Sequence, residues 1–113
     1  MIRRSVVLAF MLLAAPASAD VYLSNHRLFN TIAGKTFEWP DKSSSTYERD
    51  GTYIFQGVTR LDGSWRVVGD KVCVTFSSGL SRCDRYEYRN DVLFLQDASG
   101  KRFRARAVPE KSS

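Results

Sequence analysis

A single histidine, two cysteines and three prolines in 113 residues leave little room for most site chemistry. His26 stands beside Asn25 and Arg27, with no serine or cysteine nucleophile in a recognisable local motif, so it reads as an ordinary helix histidine. Two thiols and one imidazole do not make a zinc ligand set. There is no C-x-x-C, no H-E-x-x-H, no glycine-rich phosphate loop and no calcium-loop pattern. Ser43-Ser44-Ser45 lacks a G-x-S-x-G or S-x-x-K setting, and Asp84 and Glu87 form no recognisable acid pair. The chain is therefore read as a non-enzyme without metal or cofactor.

Long hydrophobic runs are also missing. The longest, from Ser5 to Ala15, falls short of the roughly 20 apolar residues that span a bilayer. It follows the basic start Met1-Ile2-Arg3-Arg4 and precedes Ala17-Ser18-Ala19, which together match a secretory signal peptide over residues 1–19. No cysteine follows the run to carry a lipid, so no stable membrane anchor is expected after cleavage. The expected home is periplasmic or secreted. Removing residues 1–19 of the 113 leaves 94, one domain with a small core. The loss of Arg3 and Arg4 lowers the formal charge from +5 to +3, too mild to imply nucleic acid.

What remains is β-patterned. Residues from Asp20 to Lys35 hold the one helix signal, with Ser24 placed to cap it, Leu28, Phe29 and Ile32 as its stripe, and Gly34 to end it. Beyond Thr36, aromatic and β-branched runs are broken at Asp50-Gly51, Asp62-Gly63, Gly69-Asp70, Ser78-Gly79, Asn90-Asp91 and Ser99-Gly100. That punctuation predicts strands at Thr36–Trp39, Thr46–Glu48, Thr52–Thr59, Ser64–Val68, Lys71–Ser77, Arg82–Tyr88, Val92–Asp97 and Arg102–Val108. The fold class is mainly β: a short N-terminal helix, then seven or eight antiparallel strands closed as a small barrel or bent sheet over residues 20–108, with a tail at 109–113. At this length the barrel is expected to be filled by its own side chains. Alternation assigns Trp65, Val67, Val72, Val74, Phe76, Leu93, Leu95, Phe103, Ala105 and Ala107 to the core.

Pairing outward from Ser78 sets Cys73 opposite Cys83, and an oxidising compartment favours joining them. The bond is expected to face away from Val72, Val74 and Phe76, under the N-terminal helix. Arg102, Arg104 and Arg106 alternate with Phe103, Ala105 and Ala107, giving a basic stripe that reads first as a solvated outer face and second as a site for carboxylate- or phosphate-bearing partners. Trp39, beside Pro40, and Tyr47 are the aromatics expected at an exposed loop rim.

The segments Ala33-Gly34-Lys35-Thr36-Phe37, Asp50-Gly51, Gly63-Ser64-Trp65-Arg66-Val67 and Val72-Cys73, with Cys83, resemble a group of small exported bacterial proteins with lipocalin-like or small-barrel domains. That resemblance implies a barrel and a periplasmic location, and no activity. A second likeness, in size, disulfide and β content, is to the small periplasmic inhibitors of metalloproteases and lysozyme. The expected function is a non-enzymatic binding module that meets another envelope or periplasmic protein through Arg102, Arg104, Arg106, Trp39 and Tyr47. The alternatives are an inhibitor of a protease or lysozyme-type hydrolase, or a small-ligand carrier.

Overall fold

The computed structural model describes residues 21–109, so the segment 1–19 expected to be a signal peptide and most of the expected tail lie outside the described residues. The described residues form one helix and ten strand segments: β1 Val21–Tyr22, α1 Asn25–Ile32, β2 Lys35–Glu38, β3 Ser44–Tyr47, β4 Thr52–Gln56, β5 Arg60–Val68, β6 Lys71–Phe76, β7 Ser81–Arg89, β8 Val92–Gln96, β9 Arg102–Arg104 and β10 Arg106–Ala107. Every pairing is antiparallel, in the order β10-β2-β3-β4-β5-β6-β7-β8-β9. Only Ala105 separates β9 from β10, so the two ends of that path are one strand and the sheet curls back on itself as a nearly closed barrel. Along this strand the partner changes: Ala105 donates to the Leu93 carbonyl, whereas Val108 donates to that of Thr36.

The turns divide the barrel into two ends. Turns β3–β4, β5–β6 and β7–β8 gather at one, and α1 lies across it with Leu28 and Ile32 fully buried. Phe29 stacks on Trp65 at 5.3 Å between ring centroids, which fastens the helix to β5. Ser24 occupies the N-cap position but makes no side-chain cap; its carbonyl receives the Leu28 N–H. Gly34, at φ +78°, ends the helix and turns the chain into β2. Ahead of α1, β1 extends the wall instead of lengthening the helix. It pairs with Tyr88 and Glu87 of β7, just past Arg85 where β6 stops.

One expected turn is not a turn. Asp62-Gly63 lies inside β5, and the chain reverses earlier, at residues 57–59. Gly63 answers to crowding: a Cβ there would sit 2.3 Å from the Thr75 carbonyl oxygen and 3.0 Å from the Phe76 Cα. The β5 and β6 backbones pass too closely for any side chain.

The core follows the expected alternation. Trp65, Val72, Val74, Leu93, Leu95 and Ala105 are buried, and Val67, Phe76 and Phe103 partly so, but Ala107 is exposed, because β10 is the last of the wall at its end. Cys73 and Cys83 are directly opposed and disulfide-bonded. The bond is on the outer wall with Cys83 exposed, and α1 covers the barrel end rather than the disulfide.

Candidate functional site

Turns β2–β3, β4–β5, β6–β7 and β8–β9 surround the end that α1 leaves uncovered, and there the barrel holds a cup of about 380 Å³. The expectation of a barrel filled throughout thus applies to the helix end alone. That volume falls within the roughly 300–1,000 Å³ typical of small-molecule sites. Its walls are Phe55, Leu61, Val74, Phe76, Leu95 and Phe103, with Trp39 and Pro40 at the rim.

The floor is aromatic and its hydroxyls are spoken for. Tyr47 and Tyr86 share a 2.6 Å hydrogen bond, and their rings stand edge to face. Burial is the main cause that pushes both phenols above their ordinary range. Higher in the cup, the Trp39 indole donates to Ser45 Oγ at 2.9 Å, and that hydroxyl meets the Tyr53 hydroxyl at 2.8 Å. Burial raises the Tyr53 phenol as well, opposed by its bond to Ser45. At the rim, Asp41 accepts the Ser43 N–H and hydroxyl, and these bonds hold its carboxyl below the usual carboxylate range.

One wall carries an ion pair. Arg82 Nε and Nη2 donate to the two oxygens of Asp84 at 2.8 and 2.9 Å, and this bidentate bond raises the guanidinium's pKa. The Asp84 side chain is 8% exposed and that of Arg82 is 51% exposed, so the carboxylate sits inside while the cation reaches the mouth. The pair was not among the expected site residues, yet a signal for it exists. Once Cys73 faces Cys83, Val72 must face Asp84 and Val74 must face Arg82, on the inner side. Glu87 points outward, so the two acids are on opposite faces.

Of the expected site residues, Trp39 stands half-buried at the cup rim. Tyr47 is 3% exposed, on the cup floor rather than at a loop rim, because β3 alternation turns Tyr47 inward together with Ser45. The arginines lie elsewhere, on the outer wall. Arg102 binds Glu87 at 2.5 Å, and Glu87 also lies 3.5 Å from Arg89. Arg106 pairs with Glu38 across the β10–β2 ladder. Among the described residues no carboxylate comes within ion-pair distance of Arg104. His26 is exposed on α1, at the far end from the cup.

Among the described residues no cluster of three or more His, Cys, Asp or Glu could hold a metal, and no helix is long and apolar enough to cross a membrane. Comparison with protein-family models, with curated proteins and with solved structures finds no match.

Proposed function

We propose that this is an exported, non-enzymatic binding module of lipocalin-like design, whose barrel mouth holds a small, largely apolar molecule. The cup carries this reading: a half-open cavity with aromatic and aliphatic walls and a few polar groups in fixed positions. Those polar groups bond to one another: Tyr47 with Tyr86, Ser45 with Tyr53 and Trp39, and Asp84 with Arg82. Such a lining suits a ligand that is neutral or weakly polar, since Asp84 offsets the one cation at the wall. It also supports the non-enzymatic reading, as each hydroxyl and carboxylate is engaged rather than poised as a nucleophile. The disulfide Cys73–Cys83 fits an oxidising compartment, in keeping with the signal-peptide pattern.

Titration with the neutral fluorophore N-phenyl-1-naphthylamine tests the cup. The expected result is saturable binding of one probe per chain, lost in Leu61→Trp, a half-exposed wall position where added bulk fills the cup without disturbing the floor. Absence of saturable binding, or equal binding by the folded Leu61→Trp variant, would overturn the reading.

A further inference from the structure

The barrel wall has a gap. Strand β2 pairs with β10 as far as Glu38 opposite Arg106, and then the chain leaves the sheet: Trp39 donates to the Ser43 carbonyl, and Pro40 has no N–H to offer. Beside it, β9 pairs with β8 and with no other strand among the described residues. Residues 97 and 101 are hydrogen-bonded across this ladder, as are 93 and 105. Antiparallel alternation then makes 95 and 103 the intervening bonded pair, and turns the N–H and C=O groups of Arg102 and Arg104 toward the gap. An equivalent gap occurs beside β7 where β6 ends, and there the fold fills it with an extended segment of its own, β1.

The geometry points to β9 as a docking edge for an extended, acidic segment of a partner protein, which would add a strand in line with β2. This goes beyond the small-molecule reading, although the two sites meet at the cup rim. Directly opposed residues share a face. A guest residue opposite Phe103 therefore points inward, toward the rings of Phe103 and Trp39 at a rim that Pro40, Asp41 and Ser43 complete. Guest residues opposite Arg102 and Arg104 point outward, onto a wall that also holds Arg85, Arg89 and Arg106; there Asp70 pairs with Arg85, Glu87 with Arg102 and Arg89, and Glu38 with Arg106. Among the described residues Arg104 is the cation there with no carboxylate within ion-pair distance. The pattern selected is acidic–apolar–acidic over three residues in extended conformation.

The test is selection of a phage-displayed random nonapeptide library on the mature protein, followed by affinity measurement on synthetic peptides. Enriched peptides should share the acidic–apolar–acidic pattern. Arg104→Glu should weaken them at least fivefold, while Arg66→Glu, on the exposed outer face of β5, should not. N-methylation of the two acidic residues, whose N–H groups would face Arg102 and Arg104, should abolish binding, and N-methylation of the apolar residue should leave it intact. No enrichment, enrichment without the pattern, or equal loss from methylation at all three positions would overturn the proposal.

Discussion

The paired hydroxyls of Tyr47 and Tyr86 under the cup can be tested by a double-mutant cycle. They are 2.6 Å apart and nearly inaccessible, at 3% and 0% exposure. Tyr47→Phe removes one oxygen and leaves the Tyr86 hydroxyl buried without a partner, and Tyr86→Phe does the converse. Each orphaned group costs about 1–3 kcal/mol, because its water is not regained. For a domain of this size, 1 kcal/mol moves Tm by about 4–8 °C. If the two costs were independent, the double variant would lose about 2–6 kcal/mol. The structure says they are not. With both hydroxyls gone nothing polar is stranded, and the double variant should sit close to the milder single variant, so the coupling equals the cost of the harsher one, about 1–3 kcal/mol. Urea titration of all four proteins, followed by near-ultraviolet circular dichroism, gives each free energy. Strict additivity would refute the pairing and with it the described floor.

Three further outcomes follow from the packing. Gly63→Ala should cost about 1–3 kcal/mol or prevent folding, since its Cβ would meet the Thr75 carbonyl at 2.3 Å; an unchanged melting curve would contradict the close β5–β6 approach. Burial raises the phenols of Tyr47, Tyr53 and Tyr86, so their contribution to stability is complete below the unfolded value of about 10. As pH rises above that, the unfolded chain sheds phenolic protons that the folded chain keeps, and stability falls by about 1.4 kcal/mol per pH unit for each such tyrosine. Absorbance at 295 nm should show their ionisation coinciding with unfolding, and independent titration of all the tyrosines in a folded protein would contradict it. Reduction of Cys73–Cys83, or Cys73→Ser with Cys83→Ser, should lower stability by about 2–3 kcal/mol while retaining the fold, as read by urea midpoint and far-ultraviolet dichroism; no change in midpoint would refute the contribution of the crosslink.

The barrel was legible because its information is local. Turn dipeptides such as Asn90-Asp91, where both residues adopt positive φ, and Gly69-Asp70 announce hairpins, and alternation on β6 and β8 places Val72, Val74, Leu93 and Leu95 inside. The disulfide register came from the same source. What stayed hidden depends on contacts between distant segments. Nothing within Asp62-Gly63 distinguishes a turn from a strand pressed against Thr75, and two residues are too few for β1 to show a period. The arginine alternation was plain, but Glu87 and Glu38, which neutralise Arg102 and Arg106, come from strands far away in sequence. The cup itself escaped because it arises from a helix that covers one barrel end only.

The two tryptophans offer the most direct test of the central claim. Trp39 lies at the cup rim, while Trp65 is buried against Phe29 of α1 and donates its indole N–H to the Glu48 carbonyl at 2.7 Å. In a nitrogen–proton correlation spectrum of the labelled mature protein, addition of N-phenyl-1-naphthylamine should shift the Trp39 indole signal and the amides of Phe55, Leu95 and Phe103, leaving the outer-wall arginines and the exposed face of α1 in place. Shifts confined to the outer wall or to α1, with the Trp39 signal unmoved at saturating probe, would contradict a ligand-binding cup.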